Sequence, residues 1–351
     1  MKPLLLVAAL LATPLFAADP VRVTVLPAVP LIEEGKSGQL LNFDFLLENG
    51  GSETLEIAEI EMTLLGPDDA LVLQRRLGSN GDSIATVPNR VLEPGKKLVV
   101  FNPFPDFEPE LELTKLRYDI TFANDTKTTV LVTPRPYRTK TPLIVPVPGR
   151  SFVHDGHDAL SHHRRLDVTG GMTTALGITS NMTRYASDFC VTDAKGKMWK
   201  TDGAKPEDWY GFGTPIVAPG DGVVVRASDG MADNVKGGPP AFTMDEVLKN
   251  VWLVFGNVVV IDHGNGEFSS LAHMKKGSIA VKTGDRVKQG QAIGAMGMSG
   301  DAFLVHLHYQ LQSDANFGEG LPSTFHNFKR LTGKGFVDVR RGQIDSGDVI
   351  R

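Results

Sequence analysis

Alternation with a period of two dominates the first third of the chain. Phe43 and Phe45 alternate with Asn42 and Asp44; Ile60, Met62 and Leu64 with Glu61 and Thr63; Leu116, Tyr118, Ile120 and Phe122 with Arg117, Asp119 and Thr121. That period belongs to half-buried strands, whose successive side chains point to opposite faces. Asn49-Gly50-Gly51-Ser52, Gly66-Pro67-Asp68-Asp69, Pro94-Gly95 and Asn124-Asp125 supply turns between the runs. Several short strands at this spacing fit an immunoglobulin-like β-sandwich, placed at residues 19–134. Pro134 to Pro142, with Pro146 and Pro148 close behind, reads as a stiff, extended linker over residues 135–150.

The second half, residues 151–351, carries longer apolar runs broken by glycine. Gly213 to Val225 reads as strand, tight turn at Gly220 and Gly222, strand. Asn257 to Ile261 reads as a buried strand that turns at His263-Gly264-Asn265-Gly266 and returns through Phe268 to His273. Between them, Thr243-Met244-Asp245-Glu246 has capping-box form and predicts one short helix. The fold class is therefore all-β: an N-terminal sandwich, then a mostly antiparallel sheet domain with one inserted helix.

Composition narrows the setting. A charged start, an apolar run from Leu4 to Ala12 and small residues at Ala17-Ala18 predict a cleaved signal peptide over residues 1–18, hence an exported protein, periplasmic or extracellular. The apolar run is too short to span a bilayer, so no transmembrane segment is expected after cleavage. A single cysteine, Cys190, permits no intrachain disulfide. Net charge −5 gives no basic footprint for nucleic acid.

Candidate chemistry lies entirely in the second half, because no histidine precedes His154. Phe303 to Leu311 reads as a strand in which His306 and His308 share one face, about 7 Å apart along the backbone, a geometry that suits a metal. Four histidines fall between His154 and His163, the last followed by Asp167 at a ligand-like spacing. A second carboxylate, Asp188, competes: it sits among Tyr185, Ala186 and Phe189, where an unpaired charge is costly. Cys190 lies on the same strand face and reads as a buried, inert thiol; His263 reads as a turn residue that satisfies backbone.

Taken in order, His163-Arg164-Arg165, Arg184 to Phe189, Gly213 to Val224, Gly256 to Gly264, Leu271-Ala272-His273, Val281 to Gly294 and His306-Leu307-His308 resemble the lysostaphin/LytM-type metallopeptidases of family M23. The resemblance covers roughly residues 150–315. It implies one zinc ion per chain and hydrolysis of peptide cross-links in bacterial peptidoglycan. It also implies His163, Asp188 and His308 as metal ligands, with His273 and His306 as the catalytic pair. Many members place histidine and aspartate close together, as His163 and Asp167 stand here; the Tyr185 to Phe189 strand matches the longer-spaced members and favours Asp188. Val305 stands where relatives often have proline, and it preserves the strand. Two rivals are a non-hydrolytic wall-binding protein or hydrolase activator of the same fold, and a lipoyl-carrier-like domain suggested by Val281 to Gly294. Intact ligand candidates speak against the first, and the absence of a presented lysine speaks against the second.

Overall fold

The computed structural model describes residues 20–78, 83–158 and 161–351; the expected signal peptide lies outside them. Among the described residues the chain is almost wholly β, with two short α-helices, Gly171–Ala175 and Met244–Lys249. No helix is long and apolar enough to cross a membrane.

The N-terminal alternation translates directly into packing. In the Lys115–Phe122 strand every second residue is buried, and the strand pairs antiparallel with Leu55–Leu65, placing Tyr118 opposite Met62 and Ile120 opposite Ile60. A second sheet, formed by Val21–Leu26, Asp44–Asn49 and Lys97–Phe101, packs onto it. Phe45, Leu47, Met62 and Tyr118 from the two sheets share one core, with the Phe45 and Tyr118 rings 4.9 Å apart. The alternating run around Phe43 does not form one strand. It divides into Gln39–Leu41 and Asp44–Asn49, which belong to different sheets. Buried Asn102 occupies the break: its side chain donates to the Leu41 carbonyl, and its backbone N–H donates to the Phe43 carbonyl.

The proline-rich segment is laced into the structure rather than spanning it freely. Arg135–Pro136 pairs in parallel with Leu31–Ile32. Glu267, wholly buried, then accepts hydrogen bonds from Tyr137 Oη at 2.6 Å, Lys140 N at 2.7 Å, Thr141 N at 2.8 Å and Thr141 Oγ1 at 2.6 Å.

The second half forms an eleven-stranded antiparallel sheet. Its middle runs Gly222–Ser228, Asn257–Asp262, Phe268–Met274, Leu307–Gln312, Ser187–Cys190, Ser151–Asp155. The Leu307–Gln312 strand is buried along its whole length, its apolar side chains in the main core and its polar ones on the opposite face. The inserted helix, Met244–Lys249, has the expected cap, with Thr243 and Glu246 each satisfying the other's backbone N–H. The chain then returns to the sheet through Gly256 at φ +66°, where a Cβ would stand 2.5 Å from Ser299 Oγ. Only glycine permits both that backbone and that approach.

Candidate metal centre

Sheet register assembles the site. His308 stands opposite Ala272 on one side and Asp188 on the other, and Asp188 stands opposite Asp155 one strand further. Directly paired residues share a face, so one row across neighbouring strands brings His308, Asp188 and Asp155 together. His306 precedes the strand proper and bridges to Gly297. His273 follows Ala272 and would point away in a regular strand. Its backbone is left-handed, φ +59°, a conformation unusual for a non-glycine residue. Its ring lies 4.7 Å from that of His306 and 5.8 Å from that of His308. His163 arrives from a short 3₁₀ turn, His163–Arg165, with its ring 4.8 Å from that of His308.

The five residues singled out for the site, His163, Asp188, His273, His306 and His308, thus meet in one place. Asp167 does not join them. It faces the Val168-Thr169 turn, where one carboxylate oxygen accepts from Thr169 N at 2.8 Å and Thr169 Oγ1 at 2.7 Å. His263 ties its turn to its neighbours, Nδ1 donating to the Asp221 carbonyl of another turn and Nε2 meeting Ser269 Oγ on the following strand. Cys190 is fully buried, and burial pushes its thiol well above the ordinary value.

Acceptors outside the site fix the hydrogen on each imidazole. Burial disfavours the charged form of His163, His273 and His306 and lowers the pKa of each, so the rings are neutral and carry one hydrogen apiece. His306 Nδ1 faces the Leu304 carbonyl at 3.0 Å and His273 Nδ1 faces the Ser299 carbonyl at 2.8 Å. A carbonyl only accepts, so both Nδ1 atoms donate and both Nε2 atoms keep a lone pair.

For His308 the same logic runs through two amides. The Asp314 carbonyl requires the NH₂ of Gln312, at 2.7 Å, which turns the Gln312 oxygen to the NH₂ of Gln310. That in turn presents Gln310 Oε1 to His308 Nε2 at 2.9 Å. His308 Nε2 therefore donates outward, and Nδ1 is the nitrogen turned to Asp188. His163 Nδ1 stands 2.8 Å from Asp155 Oδ2, off the line of a regular hydrogen bond, and the carboxylate's negative charge favours the ring hydrogen on that side.

Ring nitrogens of His163, His306 and His308 converge on the buried carboxylate of Asp188. Burial would raise the Asp188 carboxyl, and a proton on the facing nitrogens of His163, His306 or His308 lowers it well below its ordinary value. His308 Nδ1 lies 3.1 Å from Asp188 Oδ1, His306 Nε2 3.6 Å from the same oxygen, and His163 Nε2 3.7 Å from Oδ2. A buried carboxylate ringed by imidazole nitrogens needs a cation among them, either a proton or a metal ion. Donor atoms around a tetrahedral zinc with bonds of about 2.1 Å stand about 3.4 Å apart, and the observed separations straddle that value. The residues present fit the group.

Asp155, His162, His163 and Asp188 also offer donor atoms within 4.8 Å of one another, a second grouping able to hold a metal. Its outer half is already engaged. Asp155 accepts from Ser161 Oγ at 3.0 Å and His162 N at 3.1 Å, and touches His162 Nδ1 at 2.7 Å, while the His162 side chain is 65% exposed. We therefore read Asp155 as the carboxylate behind His163 and not as a ligand. Sequence reasoning missed both Asp155 and Gln310; the only signal for Gln310 was a polar residue recurring on the histidine face of its strand.

Residues 208–317 match the family described as Peptidase family M23. Vibrio cholerae peptidoglycan DD-endopeptidase ShyC is 37% identical over 98 residues, 28% of this chain and 17% of that protein. Peptidoglycan DD-endopeptidase ShyA of the same organism is 37% identical over 111 residues, 32% of this chain and 19% of that protein. The chain spans about a fifth of the length of these relatives. Among solved structures, the catalytic domain of lysostaphin from Staphylococcus simulans aligns at 19% identity and TM-score 0.26, over 50% of this chain and 87% of that one. Helicobacter pylori Csd3 aligns at 13% identity and TM-score 0.28, over 91% and 73%. His273, His306 and His308 all fall inside the matched segment, whereas His163 and Asp188 precede it, and the chain carries a peptidase family M23 domain.

Proposed function

We propose that this chain is a zinc-dependent endopeptidase that hydrolyses peptide bonds in bacterial peptidoglycan, with one zinc per chain held by His163, Asp188 and His308. The observation that carries the reading is the convergence of ring nitrogens from His163, His306 and His308 on the buried carboxylate of Asp188. Three ligands from imidazole and carboxylate leave a position open, the pattern of a catalytic rather than a structural site. When bound, zinc supplies the Lewis acidity that polarises a peptide carbonyl and brings the pKa of a water down to about 7.

The chain's own residues supply the proton handling. His306 Nε2, bare and 3.6 Å from Asp188 Oδ1, is placed to take a proton at the reacting centre. His273, its Nδ1 tied to the Ser299 carbonyl, turns a second bare Nε2 to the site; whichever of the two rings takes the proton can then return it from Nε2 to the leaving amine, the ring becoming neutral again. Burial keeps both rings neutral, as a base at neutral pH must be. The names of the two Vibrio relatives support peptidoglycan as the substrate and a location outside the cytoplasm.

The test is digestion of purified peptidoglycan with and without a chelator, with products identified by mass spectrometry. Peptide-bond cleavage that disappears with the metal and returns with zinc is expected. Activity surviving complete metal removal, or products of glycan-strand cleavage only, would sink the reading.

A further inference from the structure

Two of the three proposed ligands lie outside the M23-matched segment, and both are carried by loops seated on the N-terminal sandwich. Arg184, four residues before Asp188, is 1% exposed and bridges the two halves of the molecule. Its Nη1 donates to Asp44 Oδ2 of the sandwich at 2.7 Å, and its Nε donates to Glu319 Oε1 at 2.5 Å. The next residue, Tyr185, is equally buried, with Oη reaching the Asn42 carbonyl at 3.4 Å. On the other loop Arg164, adjacent to His163, donates from Nη2 to the Asn102 carbonyl at 3.1 Å. Asn102 is the residue that splits the sandwich's alternating run, and Asn42 and Asp44 flank that split.

The two loops are also tied to each other. Asn181 Nδ2 donates to the His163 carbonyl at 3.0 Å and to the Arg164 carbonyl at 3.2 Å, and Thr183 Oγ1 donates to the His163 carbonyl at 3.3 Å. The His163 turn and the Asp188 strand therefore move as one unit, and that unit rests on the sandwich through charged groups shut away from water. Buried charges hold their geometry tightly, because any displacement leaves an unpaired charge in a medium of low polarity.

We infer that the N-terminal sandwich is a positioning element of the metal centre: Asp44, through Arg184, sets where Asp188 and His163 stand relative to His308. This rests on the proposed ligand set and assigns the sandwich a role that a tethered wall-binding module would not have. A ligand pair displaced by even a fraction of an ångström no longer matches the tetrahedron.

The test uses the full chain and the variant Asp44→Asn, which keeps the shape and removes the charge, beside Arg76→Ala, which breaks an exposed sandwich ion pair with Glu61 away from the seam. In the metal-free protein, amide exchange at residues 163–165 and 187–190 is expected to rise at least tenfold in Asp44→Asn, while the Asn257–Asp262 strand stays protected. Zinc affinity by chelator competition is expected to fall tenfold or more, and the visible spectrum of the cobalt-substituted protein to change. Arg76→Ala should leave all three readouts as in the parent chain. Unchanged exchange at both ligand segments, or unchanged affinity and cobalt spectrum despite faster exchange, overturns the inference. If Asp44→Asn does not fold, Arg184→Lys, which keeps the charge and loses the two-sided reach, is read in the same way. Exchange needs no metal, so a parent chain that binds no zinc would sink the proposed function while this readout still decides the seam's role.

Discussion

At the scale of single residues, the site turns on which atoms of each ring are bare, and this is open to substitution. Gln310→Met removes the acceptor behind His308 at near-constant volume, and zinc affinity is expected to fall about 10–100-fold; Gln310→Glu keeps an acceptor and should retain most of it. Chelator competition checks both. Asp188→Ala is expected to abolish stoichiometric zinc and hydrolysis, while Asp167→Ala, whose carboxylate only closes a surface turn, should keep both within about tenfold, roughly 1.4 kcal/mol in barrier. Elemental analysis of the two folded variants decides between them. The pH dependence of the metal-free chain has a definite sign. His163, His273 and His306 have pKa values lowered by burial from the ordinary 6.5, so below about that pH the unfolded chain binds protons that the folded chain refuses, and stability falls. Asp188, also lowered, adds a loss of the same sign as pH drops through the ordinary carboxylate range. Thermal unfolding from pH 7 to pH 5 should therefore show this contribution as a difference between variants, the midpoint of His273→Gln losing less, or gaining more, than that of the parent chain.

At the scale of elements, what was legible in the sequence followed local periodicity, and what was not depended on register between distant strands. His306 and His308 declared themselves because a strand repeats every two residues. The helix at Met244–Lys249 was legible from its cap, since Thr243 and Glu246 are neighbours. His273 could be placed at a strand end, but its left-handed backbone could not be read from period two. Asp155 gained meaning only by lying opposite Asp188, more than thirty residues away. Asp44 looked like the polar member of an alternating pair, yet it is buried against an arginine from the other half. The close approach at Gly256 is likewise a property of two elements. Gly256→Ala, at φ +66° and against Ser299, is expected to cost roughly 1–3 kcal/mol, measured by denaturant unfolding. The same change would push on the carbonyl that orients His273.

At the scale of the whole molecule, two cores are joined by buried polar groups rather than by a hinge. Glu267 is the clearest instance, one carboxylate serving four donors of the segment that leads from sandwich to sheet. Glu267→Ala would strand several of those donors in the interior and is expected to destabilise the chain by about 3 kcal/mol or more, visible as a lowered unfolding midpoint. The clasp also bears on how the molecule meets a protease. A protease must draw about ten residues of substrate into an extended, unpaired ribbon, and Arg135 to Leu143 offers no such ribbon while the Lys140 and Thr141 amides are claimed by a buried acid and the Arg135 and Tyr137 amides by the carbonyls of Pro30 and Ile32. Secreted proteases should therefore leave the two halves joined, nicking surface tips first, and separate them only at the rate at which the whole fold opens.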